Sequence, residues 1–485
     1  MLGQPLLQDS LLFVRKQAPH INGGHKDTMR KQGNSDTSFL PPVLAIGKQS
    51  NIPDSWPSTG LQETIEDSRE YFNGKRALVT GAFGFVGGHL ARALHAAGVH
   101  VTALDRDVSP TRGAQLNLTG LRNEMTVISA DITNPHAMQE VLREGEFHFI
   151  FHLAAGATTI EKAINDPYGT IMANTMGFVN LAEATRLLPV EKRPLIFYAS
   201  TDKVYGESEE LPYVEEKSNL GGVGVYDAAK LAADIFAGTY HKALGVPTIV
   251  LRMCNLFGPF DFNFDYRLVP KAMRNIFRDH EAPELYFNAR EHFRDYLYVE
   301  DAVIAFLHLA RHECCRGRVY NLPGMHYAAT PDVLHEIVEI VTEMQDEAIA
   351  KTPNSSLAHM LWNRNIRVVP SDPRLIVISK QHLDGSRIGR EAGFKPRVSY
   401  QDGLRRTARF YHWYFTVIAP KCSSRDGMRH SNGPLPRLSL SSMDDELPIE
   451  ALVPATESPV SRDTSGAIDE DHHFSLTKFS ELATK

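Results

Sequence analysis

Short apolar runs alternate with longer amphipathic segments through the middle of the chain. Six runs have the length and composition of buried strands, at residues 76–82, 99–105, 124–131, 147–155, 193–201 and 246–254. Between them, apolar residues recur at helical spacing in three segments, at residues 85–98, 174–188 and 227–245. Strands that alternate with helices of this length predict an α/β fold with a doubly wound parallel sheet. Sheets of this kind bind ligands at the carboxyl ends of their strands.

Both ends of the chain lack this alternation. Residues 1–70 carry clusters of turn-forming residues without sustained periodicity. Residues 420–485 mix serine, proline and acidic residues with few aromatic ones. We therefore predict a disordered extension at each end.

Composition and charge exclude several classes of function. The 485 residues are 42% hydrophobic, which suffices for a large core, and carry a net charge of −7. This balance argues against nucleic acid or an anionic membrane as the main partner. No apolar stretch approaches the roughly 20 residues of a membrane helix. Four cysteines without metal or disulfide spacing favour a cytoplasmic protein with no metal site: Cys254, Cys314, Cys315 and Cys422.

A glycine-rich turn follows the first predicted strand. Gly81, Gly84 and Gly87 form a G-x-x-G-x-x-G pattern between this strand and its helix. The glycines let the backbone approach a pyrophosphate, and the helix N-terminus attracts the anion. Asp105 ends the second strand, where a carboxylate can accept hydrogen bonds from an adenosine ribose. This carboxylate favours NAD over NADP, although the adjacent Arg106 keeps NADP possible.

Five ordered motifs resemble the extended short-chain dehydrogenase/reductase family of NAD-dependent epimerases and dehydratases. They are TGAFGFVG, FHLAA, YDAAK, LRMCNLFGP and RDYLYVED, and residues 386–414 are similar to the closing stretch of the family. The likeness spans roughly residues 75–417. It implies an NAD-binding domain with the catalytic residues over residues 75–255. Residues 256–417 would mainly form a smaller lobe that binds a nucleotide-sugar, and a homodimer is expected by analogy.

The resemblance also implies the cofactor contacts. Asp131 would lie near the adenine, and Ala154 and Ala155 would line the cofactor. The full predicted set is Gly81, Phe83, Gly84, Phe85, Val86, Gly87, Asp105, Arg106, Asp131, Ile132, Leu153, Ala154, Ala155, Asn174, Ser200, Tyr226 and Lys230.

Tyr226 and Lys230 lie one helical turn apart and therefore share a helix face. A phenol with a pKa of about 10 is a poor base, but a nearby ammonium and the nicotinamide charge both lower that pKa. Tyr226 can then take a proton from a sugar hydroxyl while hydride leaves the same carbon, and Lys230 can hold the nicotinamide ribose. In the family, Thr201 bonds the same hydroxyl.

The next two residues, Asp202 and Lys203, distinguish the reactions of the family. Its 4-epimerases usually have small or neutral residues here, whereas its 4,6-dehydratases have an acid and a second ionisable group. Asp-Lys looks like the CDP-glucose type of dehydratase. Our hypothesis is that Asp202 protonates the leaving C6 hydroxyl and Lys203 assists removal of the C5 proton, which requires a lowered lysine pKa. The opposite division of labour is open.

Three residues are expected to bind the substrate. Asn255 would contact the sugar diphosphate, and Arg267 and Arg294 are suited to pair with phosphates. For Arg294 the alternative is a tie of a surface loop to Asp295 or Glu300, and for Arg267 a phosphate role is evenly balanced against a structural one.

The leading hypothesis is thus an NAD-dependent nucleotide-sugar 4,6-dehydratase, a lyase that converts a CDP-glucose-like substrate to a 4-keto-6-deoxy sugar. The alternative is a nucleotide-sugar 4-epimerase or another sugar-nucleotide oxidoreductase of the family. A non-catalytic NAD-binding scaffold is a third reading, disfavoured because Thr201, Tyr226 and Lys230 are all present.

Overall fold

The computed structural model describes residues 57–110 and 112–419. Its strands are β1 Arg76–Thr80, β2 His100–Asp105, β3 Thr126–Ser129, β4 Phe149–His152, β5 Leu195–Thr201, β6 Thr248–Met253, β7 Asn255–Phe257, β8 Glu284–Tyr286, β9 Phe293–Tyr298, β10 Val319–Leu322, β11 His326–Ala329, β12 Arg367–Val369 and β13 Lys380–Gln381. Its α-helices are α1 Thr59–Phe72, α2 Phe85–Ala96, α3 Gln115–Leu118, α4 Pro135–Gly145, α5 Ile160–Asn165, α6 Pro167–Ile171, α7 Gly177–Arg186, α8 Val225–Leu244, α9 Leu268–Arg274, α10 Val299–Arg311, α11 Thr330–Lys351, α12 Ser386–Ala392 and α13 Tyr400–Trp413.

Seven parallel strands form the central sheet, in the order β10-β6-β5-β4-β1-β2-β3. All residues of β4 and β5 are buried, as expected for strands covered on both faces. The fold prediction is confirmed, and each of the six predicted strands is present. The sequence pattern missed β10, which is only four residues long and lies at the edge of the sheet.

Successive residues of each strand point into two separate cores. Ala77 and Val79 pack with α1, α2 and α10, whereas Leu78 between them packs with α4, α7 and α8. This alternation is the period of two of a β-strand. Because the cores lie on opposite faces, the helices form an outer layer on each side of the sheet and leave the carboxyl ends of its strands free for a site.

Helix α1 corrects the predicted N-terminal boundary. Residues 59–70 were assigned to a disordered extension, but they form most of a helix that buries Leu61, Ile65 and Phe72. The helix begins where the backbone N–H of Ser58 donates to Oε2 of Glu300 (2.9 Å). Two of its inward positions are Thr and Ser, which weakens the apolar pattern in the sequence. The rest of the two predicted extensions lies outside the described residues.

A second lobe has its own sheet and core. Strands β11, β9 and β13 are neighbours, β7 also pairs with β9, and β8 pairs with β12. Helices α9, α11 and α13 supply much of its apolar core. The chain nevertheless returns to the first lobe at α10, β10 and α12, whose buried residues belong to the first core. Among the described helices, none is both long and apolar enough to span a membrane.

Candidate active site

The turn between β1 and α2 is packed so tightly that two of its positions admit only glycine. Gly81 has φ +71°, and a Cβ on it would lie 2.8 Å from the backbone nitrogen of Ala154. A Cβ on Gly87 would lie 2.1 Å from the carbonyl oxygen of Gly81. Helix α2 begins after Gly84 without a side-chain cap, so its first N–H groups face the turn. These features fit a dinucleotide pyrophosphate.

Asp105 lies at the carboxyl end of β2, beside this turn. Its Oδ2 accepts from the backbone N–H of Phe83 (3.2 Å), and its Oδ1 accepts from Nη1 of Arg112 (3.0 Å). The predicted neighbour Arg106 instead approaches Asp131 at 4.0 Å and is largely exposed. Sequence reasoning missed Arg112 because a loop separates it from the strand. The carboxylate of Asp105 therefore has an arginine partner, but not the one adjacent to it in the chain.

The remaining predicted cofactor residues divide into two groups. Five of them follow the ends of β1, β3 and β4 in the chain, in the first turn of α2 or in the loops after the strands: Phe85, Val86, Ile132, Leu153 and Ala155. The side chains of Asn174 and Ser200, by contrast, form hydrogen bonds to other residues of the protein. The amide of Asn174 binds the N–H of Gly156 (2.9 Å) and the carbonyl of Ala157 (3.0 Å), and Ser200 donates to Asp234 (2.7 Å). These bonds support the neighbouring loop and helix, and contact of the two residues with the cofactor stays a prediction.

Thr201, Tyr226 and Lys230 converge at the end of β5. Thr201 is the last residue of the strand, and Tyr226 in the first turn of α8 shares a hydrogen bond with it. Nζ of Lys230 donates to the carbonyl oxygen of Ala199 (2.8 Å). It also lies 5.0 Å from the ring centroid of Tyr198. All three predicted side chains are buried.

Burial dominates the ionisation of this trio. It raises the pKa of Tyr226, and the carboxylates of Asp227 and Asp202 raise it further. Burial lowers the pKa of Lys230 to about 8, with Asp234 opposing the shift. The sequence argument expected positive charge to lower the pKa of the phenol. Within the protein, desolvation and neighbouring carboxylates outweigh that effect.

Asp202 and Lys203 face inward from the 3₁₀ turn that follows β5. Oδ1 of Asp202 accepts from the hydroxyl of Thr201 (3.0 Å), and its buried Oδ2 has no hydrogen-bond partner among the described residues. Nζ of Lys203 donates to Oε1 of Gln381 (2.8 Å). Burial raises the pKa of Asp202 and lowers the pKa of Lys203, while each residue opposes the shift of the other. Both shifts favour the neutral forms, a carboxylic acid and an amine.

A third ionisable group at this place escaped the sequence reasoning. Asp227 follows Tyr226 directly and is fully buried. Its Oδ2 accepts from the N–H of Gly224 (3.2 Å), and Oδ1 is unpaired within the described chain. Burial raises the pKa of Asp227 to about 6, and Lys203 opposes that shift. An acid next to the predicted base was visible in YDAAK, but its position at the helix N-terminus also suits a capping residue.

A buried ion pair holds the two catalytic elements together. Arg252 on β6 binds both carboxylate oxygens of Asp234 on α8, at 2.9 and 2.8 Å. Its Nη1 donates to the hydroxyl of Tyr205 (2.9 Å), which belongs to the turn that carries Asp202 and Lys203. Both charged groups are buried and doubly bonded, the arrangement in which such a pair is best satisfied. The pair therefore sets the register between the turn and α8.

The predicted substrate residues have different surroundings. The buried Nδ2 of Asn255 has no partner in the described part of the chain, so this group is available to a ligand. Arg267 lies 3.1 Å from a carboxylate oxygen of Asp261 and 5.4 Å from the ring of Phe85 at the glycine turn. Its charge also lowers the pKa of Tyr226, which places it near the catalytic group.

Arg294 is bonded to the backbone of the second lobe. Its guanidinium donates to the backbone carbonyl oxygens of Phe293, Ile378 and Ser379. These bonds tie a segment of the second lobe to β9, although not through the acidic partners considered from the sequence. These contacts agree with a structural role, and phosphate binding by Arg294 stays a prediction.

Residues 77–322 match the model of the NAD-dependent epimerase/dehydratase family, about half of the chain. The chain belongs to this family. The resemblance noted in the sequence is thereby confirmed, and so is NAD as the cofactor. The glycine turn and Asp105 are the features of this member that fit the pyrophosphate and ribose of NAD.

Related proteins of the family include two kinds of enzyme. The chain is 27% identical over 360 residues to dTDP-glucose 4,6-dehydratase 1 of Escherichia coli, covering 69% of this chain and 92% of that enzyme. It is 28% identical over 367 residues to UDP-glucuronate 4-epimerase 4 of Arabidopsis thaliana, covering 71% and 77%. A crystal structure of a dTDP-glucose 4,6-dehydratase from Streptomyces venezuelae with NAD bound has a TM-score of 0.59, 24% identity and coverage of 71% and 99%. That structure shares the fold, and the family includes both dehydratases and epimerases.

Proposed function

We propose that the protein is a nucleotide-sugar 4,6-dehydratase acting on a CDP-glucose-like substrate. The observation that carries the proposal is the pair Asp202 and Lys203, which face inward beside Thr201. Burial raises the pKa of one and lowers the pKa of the other. A retained proton on the acid and a free amine are what elimination of water needs, whereas epimerisation at C4 needs neither.

The first step concerns the C4 hydroxyl of the hexose. Tyr226 accepts the proton of this hydroxyl, and Thr201 orients the oxygen through its own hydroxyl. Bound NAD would supply the acceptor for the C4 hydrogen as hydride and the donor of a hydride to C6. The charge of Arg267 opposes the effect of burial on the pKa of Tyr226. Lys230, one turn further along α8, would hold the nicotinamide ribose.

Elimination follows because a C4 ketone acidifies the C5 proton. Lys203 takes this proton, the C6–O bond breaks, and Asp202 protonates the departing oxygen to give water. Once C6 carries the hydride, Lys203, whose nitrogen-bound protons exchange with solvent, returns a proton to C5. The proton that Tyr226 has gained equals the one that Asp202 has lost, so one turnover removes one water and leaves the cofactor oxidised.

The substrate would lie between the site residues of the first lobe and those of the second lobe. Arg267 lies close to both the glycine turn and Tyr226 and would face a phosphate of the nucleotide. Asn255, with its unpaired Nδ2, would donate to the sugar diphosphate. The nucleotide base is left to experiment, and a homodimeric, cytoplasmic enzyme stays a prediction.

The proposal is tested by incubating the protein with NAD and, separately, CDP-glucose, dTDP-glucose and UDP-glucose. A dehydratase yields a 4-keto-6-deoxy product that has lost one water, carries one solvent deuterium at C5 in D₂O, and forms without net reduced cofactor. A product of unchanged mass with inverted C4 configuration would identify an epimerase instead.

Variants then connect the product to the proposed pair. Lys203→Met and Asp202→Asn should each lower the rate of water loss by about 10²–10⁴-fold. C4 oxidation should be affected less, so that absorbance of reduced nicotinamide accumulates. Lys217→Met, on an exposed lysine, is the matched control and should behave as wild type. Full dehydratase activity in Lys203→Met would refute the assignment.

A further inference from the structure

A short segment of the second lobe lies against the catalytic turn. Residues 378–384, here called the strap, include β13 and run beside β9. Arg294 donates to two backbone carbonyl oxygens at the start of the strap. Asp295 is hydrogen-bonded to Nδ1 of His382 (2.8 Å) and accepts from the N–H of Leu383 (2.8 Å) near its end. Both anchors are buried, so water competes little for these bonds and the strap is held in place.

Gln381 projects from the middle of the strap onto Lys203. It is 0% exposed, and its Oε1 accepts from Nζ of Lys203 at 2.8 Å. Because Nζ of Lys203 donates this bond, the amide oxygen faces it and the NH₂ group points elsewhere. This Nε2 has no hydrogen-bond partner in the described residues. Native proteins rarely bury an unpaired amide donor unless a ligand or a water meets it.

Two carboxyl groups that act on Lys203 also have an unpaired oxygen. Oδ2 of Asp202 and Oδ1 of Asp227 are buried without partners in residues 57–110 and 112–419. Both carboxylates interact electrostatically with Lys203. Each hydroxyl of a sugar can both donate and accept, so a hexose can meet the amide donor of Gln381 and a carboxyl oxygen in either protonation state. A diphosphate offers acceptors alone and would leave an ionised carboxylate oxygen unmatched.

We propose that Gln381 binds the hexose of the substrate through Nε2 while it positions Lys203 through Oε1. The inference rests on the proposed function, since it takes Lys203 as the base near C5. Binding of the sugar and alignment of the lysine are then linked through one amide on the strap. The other charged or titratable groups that act on Lys203 are Asp202, Asp227, Glu161, Arg294 and His292.

The hexose contact is tested by calorimetric titration of NAD-saturated protein in a Tyr226→Phe background, which lacks the group that accepts the C4 proton. The ligands are CDP-glucose and CDP, with the dTDP and UDP pairs as further bases. Adding Gln381→Met should weaken the nucleotide-sugar about tenfold and leave the nucleoside diphosphate unchanged. Lys380→Met, on the exposed side of the strap, should change neither. Equal losses for both ligands, or no loss, would overturn the contact.

The positioning role is read from the pH dependence of kcat/KM. Gln381→Glu places a carboxylate against Lys203 and should move the acid limb of the profile upward by about one pH unit, whereas Gln381→Met removes the acceptor and should move it downward. If Gln381 only filled space, the two substitutions would not shift the acid limb in opposite directions. Identical pH profiles for wild type and both variants would refute the positioning role. Should Gln381→Met fail to fold, Gln381→Glu still removes the amide donor. It must then weaken binding of the nucleotide-sugar and leave binding of the nucleoside diphosphate unchanged. If wild type performs no dehydration, the proposed function fails while the titration still decides the hexose contact.

Discussion

Replacement of Asp227 by asparagine should stabilise the protein at neutral pH. The carboxyl is fully buried, and burial raises its pKa from 3.8 to about 6. A carboxyl with a raised pKa stabilises the folded state while protonated, and this contribution is lost as the pH rises from about 4 through 6. The rise corresponds to about 3 kcal/mol of unfolding free energy at pH 7.5 and to about half of that at pH 5.

The assay is thermal and urea unfolding of wild type and Asp227→Asn between pH 5 and pH 8. The variant should gain about 1.5 kcal/mol more, relative to wild type, at pH 8 than at pH 5. With about 360 described residues, an advantage of about 3 kcal/mol raises the melting temperature by about 4 °C. The change with pH is the decisive quantity, because any cost of burying the asparagine amide is independent of pH.

The matched control is Glu70→Gln, on the exposed face of α1. A surface change of this kind should alter stability by about 0.5 kcal/mol or less. If the difference between Asp227→Asn and wild type is constant from pH 5 to pH 8, the carboxyl is not buried as described, and the reasoning fails.

Three further predictions concern the cofactor turn, the buried ion pair and the first helix. Gly87→Ala brings a Cβ within 2.1 Å of a backbone oxygen, so NAD affinity measured by titration should fall about a hundredfold or more. Near-normal binding would argue against the glycine turn as the pyrophosphate site. Arg252→Met leaves Asp234 buried and unpaired and should cost about 3–5 kcal/mol in urea unfolding, most of which the added change Asp234→Leu should restore. Leu61→Ala should cost about 2–5 kcal/mol if α1 belongs to the folded domain, and no change would place this helix outside it.

The alternation of strands and helices was readable because each element of the first lobe carries its own local pattern. Ala77, Leu78 and Val79 mark a strand buried on both faces, and the glycines after it mark a turn that no other residue type could form. Tyr226 and Lys230 were likewise predictable, because four residues along a helix place two side chains on one face. Such inferences need only neighbours in the chain.

Contacts between distant segments could not be read in this way. The partner of Lys203 is Gln381, 178 positions away, and the carbonyls that occupy Arg294 are 84 and 85 positions away. Nor did any local pattern show that Asp227 is fully buried beside two other charged groups. The burial and the partners of these side chains depend on which surfaces meet when the lobes pack. The periodicity of apolar residues along the chain does not specify those contacts. The chain's local order therefore placed the tyrosine, the lysines and the acid at one strand end, and only packing decided their charge and their partners.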